Sequence, residues 1–124
     1  MATPAQQERW LAPTYRGETR SVFAMTEPEG GAGSDPSLLK TTAEPDGDDY
    51  RINGRKWFIT GLPGSAFQII MARTLDQRGQ DIGATLFITP SEAPGIEVVR
   101  MLDTLDSNSP GGHCEVVYRN LRVS

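Results

Sequence analysis

The chain has 124 residues, with twelve Lys and Arg against sixteen Asp and Glu for a net charge of −4, one histidine and one cysteine. That length suits one domain with a single core, the scattered basic residues offer no stripe for a nucleic-acid backbone, and no apolar run approaches the roughly 20 residues of a membrane span. A signal peptide is absent from the first residues and Cys114 has no partner for an internal disulfide, so a reducing, cytoplasmic or matrix-like compartment is expected.

Gln6 to Leu11 reads as the last turns of a helix stopped by Pro13, either a frayed terminus or the end of a preceding helical domain. β-Prone runs separated by Gly and Pro follow, a pattern that favours an antiparallel all-β fold. Strands are expected at Ser21 to Thr26, Lys40 to Glu44, Tyr50 to Asn53, Lys56 to Thr60, Phe67 to Arg73, Ala84 to Thr89, Ile96 to Met101 and Cys114 to Arg119. Pro45-Asp46-Gly47-Asp48 is a turn signal and Asn53-Gly54 a hairpin signal. The nearly continuous apolar run Phe67 to Arg73 is read as a central strand, Thr74 to Gly83 as an exposed loop, and Asp103 to Gly112 as a long connection able to reach a ligand. About seven strands of this kind make a β-barrel or two packed sheets.

Between the first two strands the chain reads Phe23-Ala-Met-Thr-Glu-Pro-Glu-Gly-Gly-Ala-Gly-Ser-Asp35. Gly30, Gly31 and Gly33 let the main chain approach a ligand closely, and successive N–H groups in such a turn can hold an anion. Ser34 adds a hydroxyl, and Asp35 can brace the turn by bonding nearby backbone. Neither the dinucleotide fingerprint nor the P-loop matches, so composition alone leaves a glycine-rich surface turn as the simpler account.

A second stretch, Ile52-Asn53-Gly54-Arg55-Lys56 running into Phe58-Ile59-Thr60, changes that balance. Together with the Phe-Ala-Met-Thr-Glu-Pro and Gly-Ser-Asp segments, and with Pro94-Gly95-Ile96 and the closing Val116, Tyr118, Asn120, Val123 pattern, it resembles the middle β-domain of flavin-dependent acyl-CoA dehydrogenases. The resemblance runs from Gly17 to Ser124; it implies a β-domain over residues 17–124 that contacts flavin and acyl-CoA, preceded at 1–16 by a remnant of a helical domain or linker.

The resemblance implies FAD as cofactor and α,β-dehydrogenation of an acyl-CoA thioester as the reaction of the whole enzyme. Met25 and Thr26 would meet the pyrimidine side of the flavin, with Phe23 of the same strand among the cofactor-binding residues. Gly33 and Ser34 would lie by the pyrophosphate, Ser34 also near the acyl-CoA. Phe58 would form the ring wall, and Ile59 and Thr60 would approach O4 and N5. Main-chain donors there would stabilise the charge that builds up as hydride is accepted. The catalytic base would come from a C-terminal helical domain; none of Glu27, Glu44, Glu92, Glu97 or Glu115 resembles it, and Glu27 is read as bracing the loop. Helical domains of the parent enzyme, an electron-transfer acceptor and a second copy of the chain are the implied partners, and the piece alone is expected to be inactive.

Two departures stand out. Glu29 and Gly30 lengthen the loop by two residues, and Phe58 stands where the family often has tryptophan, with Trp57 one place earlier. Alternation along a strand puts Phe58 on the ring face and Trp57 in the core. Other chemistry reads weakly. His113 and Cys114 are strand neighbours pointing apart, Ser65 lacks a hydrolase setting, and Asp46, Asp48 and Asp49 do not follow a calcium-loop pattern. The alternative function is a non-enzymatic β-barrel binding or assembly module derived from the same fold.

An apolar patch beside Met25 and Phe58, where a helical domain would dock, is expected in either case.

Overall fold

A computed structural model describes residues 2–105 and 111–124. Seven strands, β1 (Ser21–Ala24), β2 (Thr42–Asp46), β3 (Asp49–Thr60), β4 (Phe67–Leu75), β5 (Asp81–Pro90), β6 (Ile96–Leu102) and β7 (His113–Val123), form one curled, half-barrel sheet. Its order is β1-β4-β2-β3-β7-β6, with β5 on the other edge of β4. Most pairs are antiparallel, but β1 and β2 both lie parallel to β4, sharing one of its edges in succession. The long excursion through the glycine loop and the β2–β3 hairpin gives the chain room to return in the same direction, which a tight turn would not.

The core is formed by Val22, Ala24, Ala43, Ile52, Ile59, Ile70, Ala72, Phe87, Val116 and Leu121, with Cys114 and Tyr118 from β7. Tyr118 Oη donates to Gln68 Oε1 at 2.7 Å, so the one phenol enclosed by the sheet has a partner on the opposite strand. Burial raises the pKa of Tyr118 and takes the Cys114 thiol to about 11. Cys114 is therefore an inert core residue, and it donates weakly to the Ile59 carbonyl.

The N-terminal helix extends past its expected stop. Pro4–Gln6 is α-helical, Gln7–Leu11 π-helical and Ala12–Tyr15 α-helical again. The π segment bonds Ala12 N–H to the Gln7 carbonyl, and this wider turn accommodates Pro13, which has no N–H to give. Thr3 and Gln6 close the start as a capping box. Trp10 stacks on Phe67 at 5.0 Å between ring centroids, which docks the helix on the sheet rather than leaving a frayed end.

Three expected turns are revised. Asn53-Gly54 is no hairpin: β3 runs straight through it, with a register shift against β7 between Ile52 and Gly54. A Cβ on Gly54 would sit 2.6 Å from Thr41 Cβ, so glycine makes room for the residue that leads into β2. The β2–β3 turn is confined to Gly47-Asp48, since Pro45 and Asp46 pair with Tyr50 and Asp49. Half of Thr74 to Gly83 is strand, because Asp76 accepts from Arg78 N and Gln80 N at 2.8 and 2.9 Å and shortens the connection to residues 76–80.

Asp106 to Pro110 of the expected long connection fall outside the described residues. No helix among the described residues is long and apolar enough to cross a membrane.

Candidate functional site

β1 ends at Ala24 because the chain then turns toward β3. Trp57 N–H donates to the Thr26 carbonyl at 3.0 Å, and the Thr26 hydroxyl donates to the Trp57 carbonyl at 2.6 Å. Thr26 is thus fixed by main chain and side chain to a residue three before Thr60, about 10 Å away at the usual strand rise. Thr26 is therefore tied to the β3 segment that ends at Thr60.

Beneath this contact is a feature missed from sequence. Lys56 is wholly buried, and its Nζ donates to the Met25 carbonyl and to Glu27 Oε1, both at 2.8 Å. Glu27 also accepts from Lys40 N at 2.7 Å, Thr41 N at 3.0 Å and Ala32 N at 3.4 Å. Burial on its own raises the Glu27 pKa, but the bonds from Lys56, Thr41 and Lys40 together bring it below the ordinary value. Lys56 is lowered by burial, which Glu27 offsets in part. The knot ties the end of β1, the glycine loop and β3 together, and Glu27 braces the loop as expected. The missed signal is parity: Ile52, Gly54 and Lys56 alternate on one side of β3, so the lysine shares the inward face of Ile52.

The two additional loop residues form a self-contained turn. Glu29 and Gly30 have φ of 58° and 71°, Gly31 N–H donates to the Pro28 carbonyl at 3.1 Å, and Glu27 N–H donates to the Ala32 carbonyl at 2.8 Å. Left-handed values at both central positions mark a type I′ turn, which places the insertion at an apex and returns the chain to Ala32. Gly31 is needed for room, since a Cβ there would meet Glu27 Cβ at 2.6 Å. Gly33 and Ser34 follow on the surface, and Asp35 Oδ1 accepts from Ser37 N at 2.9 Å, holding the short 3-10 turn Pro36–Leu38.

Alternation fails at the aromatic pair. The register shifts between Lys56 and Ile59, and Phe58 has φ of 52°. The bulge carries both intervening rings out of the core, so Trp57 is half-buried, not a core residue, and stands edge-on to Phe58 at 5.0 Å. Phe58 is 48% exposed and Phe23 49%, with Met25 half-buried, which forms the expected apolar patch. Ile59 is a core side chain, 1% exposed, so only its main chain is available to a ligand.

Thr60 lies at the exposed end of β3, opposite the first residue of β7. Its Oγ1 is 2.9 Å from His113 Nδ1, and Gly61 N–H donates to the Gly112 carbonyl at 2.8 Å, closing the junction. Nothing local in the sequence pairs residues 53 apart, so this contact was unreadable there. Two grooves of the described surface are lined by other residues. One of about 210 Å3 runs between Trp10 and Val123, and one of about 440 Å3 is lined by Arg55, Glu97, Val99, Val117 and Arg119. Asp46 and Asp49 are engaged with Arg51 and Arg122 at 2.9 and 2.6 Å, and no metal-binding group of three or more His, Cys, Asp or Glu occurs among the described residues.

Comparison with known proteins bears on these residues. The family model for the acyl-CoA dehydrogenase middle domain matches residues 22–121. A 3-(aryl)acrylate reductase of Clostridium sporogenes is 46% identical over 96 residues, 77% of this chain and 25% of the reductase. The solved butyryl-CoA dehydrogenase of Megasphaera elsdenii is 31% identical with a TM-score of 0.83, over 98% of this chain and 31% of that one. A glutaryl-CoA dehydrogenase of Mycobacterium smegmatis, solved in complex with FADH2, is 29% identical with a TM-score of 0.82, over 98% of this chain and 29% of that one. The chain spans about a third or less of the length of each.

Proposed function

Because the chain belongs to the acyl-CoA dehydrogenase family, in which it corresponds to the middle domain, we propose that it supplies the β-sheet wall against which FAD and an acyl-CoA thioester are held for α,β-dehydrogenation. The observation that carries the proposal is the tie between Thr26 and Trp57, which holds Met25-Thr26 against the β3 segment Phe58-Ile59-Thr60. The residues present suit a flat ring with a polar rim: two half-exposed phenylalanines, a half-buried tryptophan and two hydroxyls.

FAD, when bound, supplies the hydride acceptor. Met25 and Thr26 orient the pyrimidine side, Phe23 and Phe58 cover apolar ring surface and exclude water, and the Thr60 hydroxyl with the Ile59 and Thr60 main chain meets the edge where charge develops. Gly33 and Ser34, on the exposed arm after the type I′ turn, hold the pyrophosphate and face the thioester. The base that removes the α-proton is assigned to the part of the relatives that this chain does not span, as are the acyl-tail pocket and the contact with an electron-transfer acceptor. The dehydrogenases among the relatives favour the oxidative direction, and the reductase shows that the same domain also occurs in a protein named for the reverse one.

Titration with FAD, followed by flavin fluorescence, tests the assignment. Specific binding is expected, weakened about tenfold by Thr26→Ala or Thr60→Ala, the equivalent of about one hydrogen bond. Equal affinity in wild type and both variants would place the cofactor elsewhere.

A further inference from the structure

The Thr60–His113 pair determines what Thr60 can do. A hydroxyl has one proton and two acceptor sites, and a neutral imidazole nitrogen is either a donor or an acceptor. With Oγ1 and Nδ1 2.9 Å apart, two arrangements fit. If Nδ1 accepts, the Thr60 proton is consumed between the strands and the hydroxyl offers the outer face only lone pairs. If Nδ1 donates, that proton is turned outward and the hydroxyl becomes a donor toward any ligand atom beyond it.

We propose that His113 is a positioning residue whose protonated Nδ1 donates to Thr60 Oγ1 and thereby makes Thr60 a hydrogen-bond donor on the ligand face. The inference rests on the flavin reading, because a ring atom that gains negative charge as hydride arrives is stabilised by a donor and not by a lone pair. The surroundings hold the geometry rigid. Thr60 pairs with His113 in the β3–β7 ladder and His113 with Leu102 in the β6–β7 ladder. Gly61 is bonded to the Gly112 carbonyl, and a Cβ on Gly111 would meet Gly61 Cα at 2.9 Å, so the backbone beside the imidazole is packed without slack. His113 opens β7, and its register with Thr60 gives it a task.

His113 is the only histidine in the chain, so its ring nitrogens give unambiguous nitrogen-15 NMR signals. The expected result in the ligand-free chain is a protonated Nδ1 that exchanges slowly with solvent. Thr60→Val, which removes the acceptor and keeps the branched shape, should move the Nδ1 resonance and speed that exchange at least about tenfold, the population effect of one lost hydrogen bond. Thr26→Val, which alters the same face without touching the imidazole, should leave both unchanged.

An unprotonated Nδ1 in the wild-type chain, or a signal indifferent to Thr60→Val, overturns the proposal. No ligand enters these spectra, so failure of the flavin assignment shows in the FAD titration and failure of the His113 assignment shows here.

Discussion

Two carboxylates in this fold each meet basic side chains, and they are built differently. Glu27 is enclosed together with its partner: Lys56 is wholly buried, and three main-chain N–H groups complete the carboxylate's shell. Glu115 is just as hidden, but its cover is the two arginines themselves. Arg100 bonds it at 2.6 Å and Arg55 closes the other oxygen, their side chains 60% and 44% exposed. The Arg100 bond is the main cause of the lowered Glu115 pKa. In the first case two charges have left water together and depend on one another. In the second the cations keep much of their hydration, and the pair behaves nearly as a surface bridge. The difference shows which cluster organises the site: the knot under the glycine loop, not the triad on the outer sheet face.

Lys56→Met should have the largest effect, a loss of about 3–5 kcal/mol in denaturant unfolding, the usual result of leaving one buried charge alone. Adding Glu27→Gln should recover part of it, because no charge is left buried, although the single amide oxygen replaces only one of the two carboxylate oxygens that accept from Lys40 and Thr41 N–H. A cost below about 1 kcal/mol for Lys56→Met, the range of an exposed bridge, would remove the distinction drawn between the two clusters.

Acid should separate the same clusters. Glu27 has a folded pKa below its ordinary 4.5, so its contribution is complete above 4.5 and is lost as pH falls through the depressed value. Glu115 shifts in the same direction. Stability should therefore fall below pH 4.5, and the fall should flatten clearly in Glu27→Gln and only slightly in Glu115→Gln, where partly hydrated arginines need less from the carboxylate. Equilibrium unfolding at a series of pH values reads the slopes, and equal flattening would place the two carboxylates in one class.

Gly54→Ala comes next, at about 1–3 kcal/mol, since the new methyl would overlap Thr41 at 2.6 Å and force β2 and β3 apart. A cost under about 0.5 kcal/mol, typical of an uncrowded position, would show that the bulge is looser than its geometry.

The strand inventory was legible because alternation and turn residues are local signals. The central place of β4, the flanking strands and the loop after Thr26 all follow from them. The two motifs pointed to the family for the same reason: they are contiguous. What stayed hidden depends on register. Asn53-Gly54 carries the chemistry of a hairpin turn, and only the close approach of Thr41 shows that the glycine serves to make room inside a continuous strand. Trp57 was assigned to the core by an alternation that the bulge at Phe58 breaks. Lys56 is polar in composition, yet its parity with Ile52 sends it inward. The Thr60–His113 contact joins the ends of β3 and β7, which no window along the chain contains.

The smallest stability effect belongs to Phe58, and its sign is the informative part. A phenylalanine at φ of 52° carries about 1 kcal/mol of left-handed strain that glycine does not. Its ring is half-exposed, and its edge-on contact with Trp57 contributes about 0.5–1.5 kcal/mol. Phe58→Gly loses the ring contact and the strain together, so it should unfold within about 1 kcal/mol of wild type. Phe58→Ala loses the contact and keeps the strain, and should be the less stable of the two, the reverse of the usual order inside a strand. Both should weaken FAD binding about tenfold, because the cofactor assignment depends on the ring and not on the backbone. If alanine proves the more stable replacement, the bulge is not held in the left-handed conformation, and Trp57 and Phe58 return to opposite faces of β3.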